Sequence, residues 1–254
     1  MRSNIEHFSK SVEQYLSYTE QPWGQLFYTS TLAQIEPFLA SDDYVVDVGC
    51  GFGITIKSLA EKGCRVLGLE PNNDLLSAAK QKALESNGSI EFKQKSIEEI
   101  HSLAFSADFL LCHNVLEYLD DPEKGIWTLA QNIKRQGYLS LITHNPLANV
   151  MKKAIVEKSP SAALSFVDRK TDYSSVIGAD ISLFSQDDLK KWLTKAGFQV
   201  IERSGIHNLY SYIDNEHKFD DEWNQKMTEL EMKVCSVSPY RDIAVFSHTI
   251  ARML

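Results

Sequence analysis

One short stretch limits what this chain can fold into more than any other: Tyr44-Val45-Val46-Asp47-Val48 followed by Gly49-Cys50-Gly51-Phe52-Gly53. The run from Tyr44 to Val48 is β-branched or aromatic apart from Asp47. That composition suits a strand buried on both faces of a parallel sheet. Three glycines on alternate positions then let the backbone turn sharply and let a ligand approach without a Cβ in the way. Residues Ile54 to Glu61 have helical character, so free N–H groups at that helix start should point back at the turn. A second apolar run, Arg65 to Leu69, ends in Glu70. An acid about 20 residues beyond such a turn is placed to accept hydrogen bonds from two ribose hydroxyls.

Two ligand classes fit this arrangement, a dinucleotide and S-adenosylmethionine. The dinucleotide fingerprint is G-x-G-x-x-G; read from Gly49 or Gly51, its last position falls on Ile54 or Ile56. The form present here, Asp47-x-Gly49-x-Gly51-x-Gly53, resembles motif I of the class I S-adenosylmethionine-dependent methyltransferases. The resemblance implies an α/β, Rossmann-like, seven-stranded sheet with helices on both faces, and S-adenosylmethionine as cofactor.

The rest of the chain can be laid onto that frame. Residues 1–40 form a helical N-terminal cap, broken at Gln21-Pro22-Trp23-Gly24, with one helix from Ser30 to Leu39 that Pro37 kinks or ends. Phe8, Tyr15, Tyr18, Trp23, Phe27 and Tyr28 make this segment aromatic. It is either an ordinary cap on the core or a lid over the cofactor. Residues 41–145 form the cofactor-binding half. In it, Asn73 or Asp74 caps a helix to about Glu85, and Ser89 to Lys93 is a third strand. Ser96 and Glu99 fit a capping box. Ala107 to Cys112 is the fourth strand, with His113 at its carboxyl end, where ligands of open parallel sheets bind. Glu117 and Tyr118 read as structural. A helix from Pro122 to about Arg135 leads to a fifth strand, Tyr138 to Thr143, ending in His144-Asn145-Pro146.

A helical insertion, 146–184, interrupts the strand–helix rhythm and is the candidate substrate flap. The C-terminal, substrate-side half, 185–254, has a helix opened by Ser185, a strand Phe198 to Ile201 and an irregular stretch. A helix from Asp221 to Cys235 and a last strand, Asp242 to Ile250, close it. In the methyltransferase fold that last strand would lie antiparallel beside the fifth. All of 1–254 reads as a single domain.

Composition narrows the rest. The chain of 254 residues carries a net charge of −8, which excludes a wholly basic nucleic-acid-binding surface though not a local patch. Its four cysteines, Cys50, Cys64, Cys112 and Cys235, form no C-x-x-C pair. No zinc site, other metal or disulfide framework is expected. Met1 to Lys10 is polar, unlike a signal peptide, and no apolar run is long enough to span a membrane. A reduced cytoplasmic protein with no membrane partner is expected.

Over roughly residues 8–252 the chain also resembles the bacterial methyltransferases that form the methyl ester of 5-carboxymethoxyuridine (uridine-5-oxyacetic acid) in tRNA. The matching residues are Gly24-Gln25-Leu26, His113-x-Val115-Leu116-Glu117 with Asp121-Pro122, Leu139-Ser140-Leu141, Asn145, Leu230-Glu231, Pro239-Tyr240 and Thr249-x-Ala251-Arg252. The resemblance implies cofactor contacts from Gly49, Cys50, Glu70, Ser96, Ile97 and His113, which join Asp47, Gly51 and Gly53 of motif I. It implies tRNA as partner and a carboxylate as acceptor. The family has an arginine directly after Gly-Gln-Leu; this chain has Phe27.

Carboxylates are already ionised near pH 7 and need no general base. A hydroxyl or amine acceptor on a small metabolite needs one, and His113 and His144 are the candidates. Asn145, Tyr240 and Arg241 are candidates for the substrate side. For tRNA phosphates the candidates are Lys152, Lys153, Lys158, Arg169, Lys170, Arg203 and Arg241. A non-catalytic module that only binds the cofactor is a third alternative.

Overall fold

The computed structural model describes residues 12–174 and 178–254. Phe8 therefore lies outside the described residues. The central sheet has seven strands in the order β3-β2-β1-β4-β5-β9-β8. They are β1 (Tyr44–Val48), β2 (Arg65–Leu69), β3 (Ser89–Lys93), β4 (Ala107–His113), β5 (Ile133–His144), β8 (Phe198–Ile206) and β9 (Phe246–Met253). The first five pair in parallel; β9 enters antiparallel between β5 and β8. The strand order reverses between β1 and β4, and an open α/β sheet binds ligands at the carboxyl ends of such a pair.

The apolar strands bury both faces. On one, Val45, Phe109 and Leu111 pack against Ile35 of α2 (Pro22–Ile35) and Ile56 and Leu59 of α3 (Ile54–Glu61). On the other, Val46, Val48, Leu110 and Leu139 meet Ile126 and Leu129 of α5 (Pro122–Ala130) and Leu189 and Leu193 of α8 (Gln186–Lys195). Between α3 and α5 come α4 (Asn73–Ala83) and a short turn, Ile97–Ser102, opened by the Ser96/Glu99 capping box.

Several boundaries differ from the sequence reading, each for a physical reason. The break at residues 21–24 is the start of a helix: Pro22 is the first residue of α2, where a missing N–H costs nothing. Gly24 lies inside that helix because α1 (Val12–Glu20) crosses it closely; a Cβ there would overlap the backbone of Tyr18 and Thr19. Then α2 ends at Ile35, and Glu36–Phe38 is a separate short turn. Asn72, not Asn73 or Asp74, caps α4, accepting from the N–H groups of Asp74 and Leu75 at 2.9 and 3.0 Å. The helix before β5 stops at Ala130, and β5 begins at Ile133, with a bulge that Gln136 (φ +65°) helps to form. The last strand begins at Phe246, because the carbonyls of Asp242 and Ala244 are taken by the Asn145 side chain.

The insertion contains helices α6 (Pro146–Met151) and α7 (Pro160–Phe166), with a wide turn, Lys152–Val156, between them. It also holds an antiparallel pair, β6 (Thr171–Ser174) and β7 (Ala179–Ser182), so it is not purely helical. The last helix, α9 (Asp221–Val234), precedes β9. No helix among the described residues is long and apolar enough to cross a membrane.

Candidate active site

The glycine turn is anchored by main-chain bonds to β2: Gly49 and Cys50 both donate to the Leu69 carbonyl, at 2.8 and 3.0 Å. Gly49, Gly51 and Gly53 have φ values of +80°, +52° and +70°, a region that glycine enters without a Cβ penalty. At Gly49 a side chain is excluded twice over, because its Cβ would overlap Cγ2 of Val115. Val115 lies in the loop after β4, so turn and loop meet across the switch point.

Two buried acids stand at this turn. Glu70 Oε2 accepts from the Gly51 N–H at 3.0 Å and Oε1 from the Asn72 N–H at 2.8 Å. Each oxygen keeps a lone pair for a further donor. Burial pushes the Glu70 carboxyl up to about 7, although those two bonds pull the other way. Asp47 is pushed up to about 7 by burial first and then by the charge of Glu70. Above the turn, the Tyr15 ring of α1 stands 5.0 Å from the ring of Phe52 and faces Gly51. The Tyr15 and Tyr28 hydroxyls are hydrogen-bonded, and burial raises both. Helices α1 and α2 thus roof the glycine turn, the position of a lid.

These residues fit S-adenosylmethionine. A cation suits two buried acids that give up their protons near neutrality. The ribose hydroxyls suit the free lone pairs of Glu70. Above Gly51, among the described residues beyond its chain neighbours, only the Tyr15 ring lies within contact of where a Cβ would stand. Ser96 and Ile97 follow β3 as expected, but their side chains serve the fold. Ser96 is the capping residue, its N–H donating to Glu99 Oε2 at 3.0 Å, and Ile97 is 2% exposed in the core. What they offer a ligand is main chain.

Two histidines end β4 and β5. His113 is half-buried, and its Nε2 lies 2.7 Å from the Ser140 hydroxyl. Burial first, and then the neighbouring His248, hold its pKa well below the usual range. His144 is bound to Glu117, whose carboxylate is wholly buried. Oε1 of Glu117 accepts from the His144 backbone N–H at 2.9 Å and from its Nδ1 at 3.1 Å. The imidazole rests 4.8 Å from the Phe246 ring, and Phe246 in turn meets Phe27 edge-to-face at 5.0 Å. With Nδ1 donating to a carboxylate, Nε2 of His144 carries the lone pair. The second oxygen of Glu117 is buried with no hydrogen-bond partner among the described residues.

A model of the methyltransferase domain matches residues 21–203, from α2 into β8. The chain belongs to this family. It is 26% identical over 214 residues to the tRNA 5-carboxymethoxyuridine methyltransferase of Escherichia coli (strain K12), covering 82% of this chain and 79% of that protein. It is 30% identical over 177 residues to the ubiquinone biosynthesis O-methyltransferase of Salmonella paratyphi A, covering 68% of each. Among solved structures, the magnesium protoporphyrin IX methyltransferase from Synechocystis, with bound S-adenosylhomocysteine, superposes with a TM-score of 0.58. It has 17% identity and covers 91% of this chain and 85% of that one. The chain is an S-adenosylmethionine-dependent methyltransferase with the class I fold.

Several other sequence candidates of this methyltransferase turn out to be occupied. Asn145 is not free for substrate: its Oδ1 caps α6 through the Leu147 N–H, and its Nδ2 donates to the carbonyls of Asp242 and Ala244, both at 2.8 Å. Arg241 folds back on its own turn, donating to the Ser236 carbonyl at 3.0 Å and facing Asp242. Tyr240 sits on that turn, 38% exposed. Of the phosphate candidates, Arg203 faces Asp242, Lys153 is paired with Glu157 at 2.8 Å, and Arg169 lies on the Phe166 ring. Glu117, read from the sequence as structural, also bonds the ring of His144, 27 residues further on. The cue was an acid in a segment that follows a ligand-end strand.

Proposed function

We propose that this methyltransferase acts on a hydroxyl oxygen of a compact acceptor. The Glu117–His144 pair carries this reading. When bound, S-adenosylmethionine supplies a methyl carbon on a sulfonium, which departs as a neutral thioether in an in-line displacement. A hydroxyl is a weak nucleophile at neutral pH. His144 Nε2 would accept its proton as the oxygen attacks, while Glu117 holds the ring by Nδ1–H and stabilises the imidazolium that forms. Such a base contributes about 10²–10⁴-fold. The wall beside it, Phe27, Phe246 and Ile142, is apolar and suits the carbon frame of a small molecule. At the family's arginine position, Phe27 offers no bidentate partner for a cofactor carboxylate.

A second reading rests on the alignment with the tRNA 5-carboxymethoxyuridine enzyme, which spans more of this chain than the O-methyltransferase match. In it, the acceptor is a carboxylate on a tRNA base, aligned and stripped of water rather than deprotonated. The two readings part in product chemistry. Protein and S-adenosylmethionine labelled in the methyl group are incubated with total tRNA and, separately, with a panel of phenols and hydroxy acids. Products are then treated with mild alkali, which releases methanol from esters and leaves ethers intact. The hydroxyl reading expects alkali-stable label on a small molecule, reduced about 10²-fold or more in His144→Ala. Alkali-labile label on tRNA, indifferent to His144→Ala, supports the second reading and ends the first. Methyl transfer to neither would end both readings and turn the search to small-molecule acceptors of another class.

A further inference from the structure

A buried line of polar side chains crosses one face of the sheet and ends on His113. Four elements supply it: Gln34 from α2, His248 from β9, Ser140 from β5 and His113 from β4. Gln34 Nε2 lies 3.0 Å from the Gly205 carbonyl, and its Oε1 lies 2.6 Å from His248 Nδ1. His248 Nε2 lies 2.7 Å from the Ser140 hydroxyl, which lies 2.7 Å from His113 Nε2. Gln34, Ser140 and His248 are 8%, 0% and 2% exposed. Polar groups this deep are kept only where they are paired.

The chain of bonds can be read from its one unambiguous end. A carbonyl only accepts, so the Gln34 atom facing Gly205 is its amide nitrogen and the other is the oxygen. That oxygen accepts, so His248 Nδ1 carries a proton. Burial pushes His248 down to about 3, so it is neutral and its Nε2 is a bare acceptor. The Ser140 proton then points at His248, and the Ser140 oxygen must accept from His113. His113 is therefore protonated on Nε2 and bare on Nδ1. No described group bonds that Nδ1. The ring closes β4, two residues before the Val115 that touches Gly49.

We propose that Gln34, His248 and Ser140 are positioning residues that hold His113 as its neutral Nε2–H tautomer, so that Nδ1 accepts a hydrogen bond from an N–H or O–H donor of S-adenosylmethionine. The relay makes His113 a ligand for a donor. It concerns the cofactor alone and stands whichever acceptor is methylated.

The test is ¹⁵N spectroscopy of the imidazoles in protein labelled at histidine, at pH 7, titrated with S-adenosylhomocysteine. Lines are assigned by single substitution of each histidine. His113 should show a pyridine-type Nδ1 and a protonated Nε2, and His248 the reverse. Saturating S-adenosylhomocysteine should move the His113 Nδ1 line toward its hydrogen-bonded position and leave that of His248 in place. Ser140→Ala should release the His113 tautomer and weaken S-adenosylhomocysteine binding about five- to tenfold. A His113 protonated on Nδ1, an Nδ1 line indifferent to saturating ligand, or wild-type affinity in Ser140→Ala would overturn the proposal. If Ser140→Ala does not fold, the wild-type spectra decide alone.

Discussion

At Gly49 a single absent methyl group serves both fold and ligand. Its φ of +80° disfavours any other residue, and Val115 fills the space a Cβ would need. Gly49→Ala should therefore lose about 1–3 kcal/mol of stability, seen as a lowered denaturation midpoint. It should also weaken S-adenosylhomocysteine in calorimetric titration, because the loop after β4 is pushed away from the turn. Glu117→Gln keeps the shape beside His144 but removes the charge. We expect kcat to fall by about 10² with the dissociation constant of S-adenosylhomocysteine unchanged; equal loss in both would assign Glu117 to the cofactor instead. The glycines were legible in the sequence because the backbone demands that residue type at fixed local spacing, and Glu70 because it follows β2 directly and bonds the turn. Glu117, Ser140 and His248 were not, since their roles come from partners 27 to 214 residues away. The only local sign was a polar residue at an inward position of an apolar strand, as in Leu139-Ser140-Leu141.

At the scale of elements, the legible ones carried their own signals. Arg65–Leu69 and Ser89–Lys93 coincide with the expected strands, and Ser185 opens α8 with a capping box that Asp188 completes. Helix–strand boundaries set by long-range bonds were misplaced: β9 starts late because Asn145 holds the preceding carbonyls, and β5 starts early through its bulge. The β6–β7 pair was missed because its strands are four residues each, too short for a periodic pattern. The crossing of α1 over α2 depends on Gly24. Gly24→Ala should pry α1 from α2 and with it Tyr15 from the glycine turn. Amide hydrogen exchange over Val12–Glu20 should then speed up, while exchange in β1 and β4 stays as in the wild type. In the wild type, S-adenosylhomocysteine should slow exchange in the same helix. Unchanged exchange there on ligand addition would mean that α1 is a plain cap on the core.

For the whole molecule, Asp47 and Glu70 tie stability and ligand affinity to pH in opposite directions. Both carboxyls are raised to about 7 in the folded chain, against about 4 when unfolded. Between those values the folded state binds more protons than the unfolded one. The contribution of this pair is thus full below about pH 4 and is lost as pH rises towards 7, by up to about 1.4 kcal/mol per pH unit for each proton. The pair titrates as one coupled unit, since each charge disfavours the other. Exposed acids whose pKa is lowered by lysine partners, Glu85 and Glu229, act in the opposite sense, but salt screens them. A sulfonium cofactor reverses the balance, because its positive charge favours the ionised acids and so expels their protons on binding. Calorimetry with S-adenosylmethionine at pH 6.5, in two buffers of different ionisation enthalpy, should report net proton release. At pH 9 the same comparison should report none. S-adenosylhomocysteine, which lacks the positive sulfur, should release fewer protons at pH 6.5. Affinity for the cation should rise with pH up to about 8, where the unliganded fold has already lost the stability its protonated acids conferred. Binding enthalpies that do not depend on buffer at pH 6.5 would mean that the pair is ionised before ligand arrives, and that burial at the glycine turn is relieved by water.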